Sequence, residues 1–319
     1  MICQNPGMKN PGSRGAAFLL LALASLFWAG NWVLGRALRD DFEPVGLNFW
    51  RWLVAALALA PFAIPRLRGR LGAIRGSAGL LLALSFFGVA LFQCLVYEGL
   101  KTTTAVNAVL INSSFPAFML LCSWAIERER GTRKQIVGML ISLAGILVIM
   151  AHGDPASLVR LEFHTGDALI LVAMPVWGVY SVLLKRRPPE LDGIAFLFVI
   201  SLVGTLLILP AFALDAWHSP PRWPGPQGVA AALYVGLGAS VAAFICWNRG
   251  VAVVGANAAG FTLHLLPAFG TLLALVFLGE SFQLFHAAGI ATILAGVVVA
   301  TRATPARAAS PRPDSGKSG

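Results

Sequence analysis

The sequence predicts an all-α integral membrane protein of ten transmembrane helices, arranged as two inverted-topology five-helix repeats around a central cavity. Three observations carry this. Hydrophobic residues make up 57% of the chain and charged residues 12%, with a mean hydropathy of +0.77, against about 25% charged residues in a soluble domain. Apolar runs of about 20 residues recur, long enough at about 1.5 Å per residue to cross a hydrocarbon core of about 30 Å. The stretch from Gly99 to Glu129 is written again 151 positions later, from Gly250 to Glu280. At that one offset Gly99 falls on Gly250, Ala105 on Ala256, Ala108 on Ala259, Pro116-Ala117-Phe118 on Pro267-Ala268-Phe269 and Glu129 on Glu280. The register continues as Gly138, Ala144 and Gly145 meet Gly289, Ala295 and Gly296. An ungapped offset held this long marks two copies of one unit.

Taken in order, a polar tail over 1–15 comes first, too hydrophilic to be a signal core, so the first long run is expected to be retained. Apolar runs at about 16–37, 46–64, 77–97, 103–125 and 135–151 form a first repeat over 16–151. A linker at 152–166 follows. Runs at about 167–184, 193–214, 227–248, 255–278 and 284–301 form a second repeat over 167–301, and the Pro-rich tail 302–319 has a disordered composition. The eighth and ninth runs are the least separated, with only Arg249 and glycines between them.

Lys and Arg in alternate loops set the orientation. One set of loops holds Lys9 and Arg14, Arg66 to Arg75, Arg128 to Lys134, Lys185 to Arg187, Arg249, and Arg302 to Lys317. The other holds only Arg36, Arg39, Lys101, Arg160 and Arg222. The first set and both termini are therefore expected in the cytoplasm, and the linker and the segment SPPRWPGPQ in the periplasm. The net charge of +10 is then a topology signal; the basic residues sit in short separated loops, which excludes a nucleic-acid surface. Because each repeat has an odd number of spans, the second is inserted upside down relative to the first, a construction typical of secondary transporters.

Within the spans, Pro116 and Pro267 remove a helix hydrogen bond at symmetry-related depth, leaving the carbonyls of Asn112 and Leu263 without their usual donor. They are either packing kinks or paired hinges or gates beside a cavity. Polar side chains concentrate in the third, fourth, eighth and ninth runs: Gln93, Tyr97, Asn107, Asn112, Ser113, Ser114, Asn248, Asn257, Thr262 and His264. Each is helix-to-helix glue or a ligand contact. Trp28 and Trp177 lie near mid-span at nearly equivalent places of the two halves, each followed one turn later by a ring, Trp32 and Tyr180. Such stripes pack in a core, face lipid, or line a cavity with flat, weakly polar walls. Trp50, Trp52 and Trp124, near span ends, suit the membrane interface. Arg51 has no acidic residue in its own span; it snorkels, pairs with a carboxylate from elsewhere, or meets a substrate carboxylate. Gly138, Ser142 and Gly145, with Gly289 and Gly296, read as close helix packing.

The ten spans in two halves, the Trp28-to-Trp32 motif WAGNW, the NFWRWLVAALAL run with Arg51, the repeated Gly-to-Pro helix and the Gly-rich fifth and tenth spans resemble the drug/metabolite transporter superfamily, EamA type. Nearly the whole chain is covered, and the aromatic first and sixth spans are similar to the YddG branch, which exports aromatic and other amino acids. The resemblance implies a basket in which spans 1, 3, 4, 6, 8 and 9 surround the cavity and spans 5 and 10 support it. It implies a multi-pass protein of the bacterial inner (plasma) membrane, a monomer without cofactor. The expected substrate is an amino acid or aromatic metabolite, with flat cationic drugs as the alternative and a channel or intramembrane enzyme outside transport. Candidate substrate-binding residues are Trp28, Trp32, Gln93, Tyr97, Asn112, Trp177, Tyr180, Asn248 and His264; candidate hinges are Pro116 and Pro267. No Asp or Glu falls in the middle third of any run, which predicts weak or no ion coupling. No nucleotide, metal or hydrolase motif is present, and the four cysteines, Cys3, Cys94, Cys122 and Cys246, lack metal spacing.

Overall fold

In the computed structural model residues 11–37, 43–103, 105–151, 156, 163–218, 225–277 and 283–302 are described, and among them every regular element is helical. The main helices, in chain order, are α1 (Pro11–Ala37), α2 (Pro44–Leu67), α3 (Ala78–Thr102), α4 (Ala105–Asn112), α5 (Phe115–Glu127), α6 (Arg133–Met150), α7 (Thr165–Leu183), α8 (Gly193–His218), α9 (225–254), α10 (Ala256–Gly260), α11 (Leu265–Phe277) and α12 (Leu284–Arg302), with a short helix Leu71–Gly76 between α2 and α3. The expected tails over 1–10 and 303–319, most of the expected linker, and 219–224 of the Pro-rich segment lie outside the described residues. Residues 11–15, expected in the tail, instead open α1, with Pro11 at its first position, where a missing N–H costs nothing.

Among the described residues eight helices, α1, α2, α3, α6, α7, α8, α9 and α12, are long and apolar enough to cross a membrane. The two expected spans that fall short are those carrying Pro116 and Pro267. The first is cut at Ser113–Ser114, so Pro116 sits in the first turn of α5 rather than kinking a continuous helix. The second runs α10, then a 3-10 turn Phe261–His264, then α11, whose first turn holds Pro267. Both breaks fall next to the prolines the sequence marks. What it places differently is their form, because proline is better tolerated starting a helix than bending one.

Local signals explain several boundaries. Thr132 and Gln135 form a reciprocal capping box at the start of α6, Thr132 N donating to Gln135 Oε1 at 2.8 Å and Gln135 N to Thr132 Oγ1 at 3.2 Å. Arg128 ends α5 in the left-handed conformation (φ 58°), and Gly255 (φ 84°) separates α9 from α10, a backbone turn that glycine takes without a Cβ clash. Both α3 and α9 widen into a π-helical stretch, Phe86–Leu91 and Val235–Ala242, and the two begin 149 positions apart.

The packing repeats itself when the halves are exchanged. Helix α1 packs on α9 and α11, while α7 packs on α3 and α5; α2 packs on α9, while α8 packs on α3. The remaining large contacts, α2 with α8 and α6 with α12, pair a helix with its own counterpart. Individual residues follow suit. A Cβ on Gly99 would lie 2.6 Å from Ile170 Cγ1 and 2.8 Å from Gly166 O, and one on Gly250 would lie 2.5 Å from Leu21 Cγ and 3.2 Å from Ala17 O. At the α6–α12 crossing, a Cβ on Gly138 would lie 2.6 Å from Gly296 O and one on Gly145 2.7 Å from Gly289 O. The rising numbers on α6 against falling ones on α12 make the two helices antiparallel. Small residues let the backbones touch there, as helices in lipid require.

Three of the basic loops meet one another. Arg66 pairs with Asp192 at 3.3 Å, Arg70 Nη1 donates to Glu190 O at 2.6 Å, Lys185 pairs with Glu129 at 2.8 Å, and Arg186 with Glu127 at 2.7 Å. These contacts join the segments after α2, α5 and α7. Exposed Ile136, Val137 and Leu140 on α6 and Leu294 and Val298 on α12 form apolar outer surfaces suited to lipid.

Candidate functional site

At the centre α1, α3, α7 and α9 each contribute rings to one cluster. Trp28 stands edge-on to Trp177 with centroids 5.2 Å apart and lies 5.3 Å from Trp247 and 5.8 Å from Phe244. Trp177 lies 4.9 Å from Phe92 and 5.0 Å from Tyr180. Each such pair contributes about 0.5–1.5 kcal/mol beyond simple burial. Trp28 Nε1 donates to Ala239 O at 3.0 Å, a carbonyl in the π-helical stretch of α9. The indole N–H groups of Trp177 and Trp247 are buried with no partner among the described residues. The cluster is therefore an interlocked apolar plug with spare hydrogen-bond donors.

A tyrosine–asparagine bond lies on each side of this plug. Tyr97 of α3 donates its hydroxyl hydrogen to Asn31 Oδ1 of α1 at 2.8 Å, and Tyr180 of α7 donates to Asn248 Oδ1 of α9 at 2.9 Å. The offset that carries Gly99 onto Gly250 carries Tyr97 onto Asn248, and that between Trp28 and Trp177 carries Asn31 onto Tyr180. The same bond is made twice with its partners exchanged. Since Gly250 packs on Leu21, Asn248 is level with about residue 23 of α1, which sets the two bonds about 12 Å apart along that helix.

Arg51 makes the halves unequal. It is 1% exposed; its Nε donates to Ser240 Oγ at 2.8 Å, Nη1 to Tyr97 Oη at 2.9 Å, and Nη2 to Ala239 O at 3.4 Å. The guanidinium carbon also sits 5.4 Å from the Trp52 ring centroid. The residue 149 positions on, the offset that holds on both sides of this stretch, is Ile200, so no arginine bonds the second Tyr–Asn pair, although the charge of Arg187 acts on Tyr180, and Asn248 Nδ2 is buried without a partner among the described residues.

Where the broken helices meet, His264 Nε2 bonds Ser113 O at 2.8 Å, two residues that are themselves 151 apart. A carbonyl only accepts, so Nε2 carries the hydrogen, and Nδ1 is left to accept from the Ser142 hydroxyl on α6. Ser25 of α1 donates to Thr262 O at 3.0 Å, tying the second break to the bundle. Asn112 Oδ1 is buried at the first break with no partner among the described residues.

The expected site residues thus fall into three groups. Trp28, Trp177 and Tyr180 meet in the plug, while half-buried Trp32 packs against the larger apolar core. Tyr97 and Asn248 enter the flanking bonds, and Gln93 lies buried one turn before Tyr97. Asn112, His264, Pro116 and Pro267 belong to the breaks. Trp52, expected at the interface, is 1% exposed and packs on Phe244 at 4.8 Å, whereas Trp50 and Trp124 are exposed. Sequence reasoning did not single out Asn31, Phe92, Ser240, Phe244 or Trp247; for Asn31 a signal existed, its 149-residue offset from Tyr180. It also passed over Asp167, buried at the start of α7, which accepts from Asn107 Nδ2 and His164 N at 2.7 Å each and from the Thr103 hydroxyl. Among the described residues no group of His, Cys, Asp or Glu is placed to hold a metal ion.

Comparison with known proteins agrees with this architecture. The sequence pattern of the EamA-like transporter family matches residues 15–151 and again 164–302. An uncharacterized transporter of Archaeoglobus fulgidus is 30% identical over 89% of this chain and 96% of its own length. A Streptantibioticus cattleyicolor protein named "Probable terminal-alkyne amino-acid exporter" is 27% identical over 90% of this chain and 94% of its own. A solved crystal structure superposes with a TM-score of 0.72 at 21% identity, covering 91% of this chain and 98% of that one, which speaks to the fold alone.

Proposed function

The chain belongs to the EamA-like transporter family and is a transporter rather than an enzyme, and on that premise we propose that it exports amino acids with aromatic or hydrophobic side chains. Export proceeds by alternating access between two inverted five-span halves, 16–151 and 167–301, joined by a linker at 152–166. The ten spans are the eight long helices plus the two broken ones, α4 with α5 and α10 with α11. The observation that carries this reading is the doubled Tyr–Asn bond flanking one plug of rings. Two equivalent closures at two levels of the bundle are what a pocket opening alternately to either side needs. The reciprocal contacts Gly138 with Gly296 and Gly145 with Gly289, and the self-paired contact of His264 with Ser113, support a two-fold axis crossing the helices.

The rings, with Gln93 and Asn112 nearby, form the substrate pocket when one closure opens, and the breaks at Pro116 and Pro267 are the flexible points. The relative named as an amino-acid exporter supports the cargo, and the aromatic walls favour the YddG-like subset. Efflux of flat cations is the weaker reading, since the pocket wall already holds a buried positive charge at Arg51. Basic loops that meet one another support an inner-membrane protein with both termini in the cytoplasm. No acidic residue sits beside the plug among the described residues, and the buried Asp167 is occupied as a helix cap. Flux therefore follows the substrate's own gradient in a monomer, with weak or no ion coupling. Counterflow of labelled amino acids in liposomes tests the reading: saturable exchange, weakened by Trp28→Ala and by Trp177→Ala, is expected. Non-saturating flux, or exchange indifferent to both substitutions, would overturn it.

A further inference from the structure

We propose that Arg51 is the anchor for the carboxylate of the transported molecule, an inference that rests on amino-acid export as the proposed function. Three observations meet at this residue. The guanidinium is almost wholly buried, yet among the described residues no Asp or Glu reaches it, and its hydrogen-bond partners are all neutral: Ser240, Tyr97 and Ala239 O. A buried cation without an anion is costly, and a fold keeps one where an anion is supplied from outside. Of the five N–H groups of an arginine, three are engaged by these partners, so two remain to take a planar carboxylate.

Position is the second point. Arg51 and Trp28 donate to the same carbonyl, that of Ala239. A carboxylate on Arg51 therefore leaves its side chain beside Trp28, Phe244 and Trp247. The third is the broken symmetry. The opposite Tyr–Asn bond is built from equivalent positions, but Ile200, buried like Arg51, stands where Arg51 would be, so the cation is an addition to the repeated scaffold. In binding, the carboxylate accepts from the two remaining N–H groups, one on Nη1 and one on Nη2, beside the Tyr97 hydroxyl that stays bonded to Asn31.

The test uses the full-length protein in liposomes, with labelled phenylalanine counterflow competed by phenylacetate or phenethylamine. Phenylacetate, which keeps the carboxylate, is expected to compete, and phenethylamine, which lacks it, is not. Arg51→Gln raises KM about tenfold or more, the loss of a charge-assisted bond, and Arg51→Lys recovers part of it. In detergent, phenylacetate raises the Tm of the wild type and leaves that of Arg51→Gln unchanged. Equal competition by the amine, an unchanged KM in Arg51→Gln, or an undiminished phenylacetate shift would overturn the anchor. If Arg51→Gln does not melt cooperatively, Arg51→Lys decides: a raised KM supports the anchor and an unchanged one overturns it. Should the wild type exchange no amino acid at all, the export reading fails, and the phenylacetate shift alone judges Arg51.

Discussion

Removing one hydroxyl from each Tyr–Asn bond should push the molecule in opposite directions. Tyr180→Phe deletes the bond to Asn248 and leaves that amide with neither its Oδ1 donor nor an Nδ2 acceptor among the described residues. Single side-chain hydrogen bonds within membrane proteins contribute about 0.6 kcal/mol on average, and stranding a buried group adds to the loss; about 1 kcal/mol is reasonable here. Tyr97→Phe deletes two bonds, one to Asn31 and one from Arg51, for about 2 kcal/mol. At about 1.4 kcal/mol per tenfold, the closed population falls about 5-fold relative to one open form in Tyr180→Phe and about 30-fold relative to the other in Tyr97→Phe. Spin-label distances across each end of the bundle, measured in liposomes, read this directly. Tyr97→Phe lengthens distances at the α1–α3 end, and Tyr180→Phe those at the α7–α9 end. Lengthening at the same end in both variants, or at neither, would refute the idea that the two bonds are opposing closures.

Two further outcomes follow from the packing. Gly145→Ala presses a methyl group to within 2.7 Å of Gly289 O and Ile293 N, both backbone atoms that cannot give way, and should cost about 1–3 kcal/mol of stability, read as a lower Tm in detergent; Gly270→Ala, with nothing within 4 Å, should leave Tm unchanged. His264→Ala strips Ser113 O of its donor and should lower Tm in the same range without altering the pH profile of transport, because the imidazole acts as a brace between the broken helices.

Much of the fold was legible because a bilayer permits few solutions: runs of apolar residues about 20 long declare themselves. The internal offset then located equivalent residues, and Gly99 with Gly250, or Ser113 with His264, indeed occupy equivalent places. The breaks were less legible. Proline reports that a hydrogen bond is missing but not whether the chain bends there or restarts, and Ser113–Ser114 or Phe261–His264 decide that through local turns. The ring cluster was half visible. Trp28 and Trp177 stood out as a matched pair, whereas Phe92, Phe244 and Trp247 looked like ordinary residues of apolar helices until neighbours were known. Trp52 was misplaced because closeness to a helix end in sequence does not say which face of the helix a ring occupies. Arg51 was noticed and left open for the same reason: its partners Ser240 and Tyr97 come from α9 and α3, and single-chain spacing carries no record of which helices touch.

The proposed inversion of the two halves can be tested without any substrate. Lys101 on α3 and Ala252 on α9 are 151 positions apart and both exposed. In a background without native cysteines, Lys101→Cys should react with a membrane-impermeant maleimide on intact cells, and Ala252→Cys only after permeabilisation. Labelling of both from the same side would mean that the halves are threaded alike, and alternating access between inverted repeats would be contradicted.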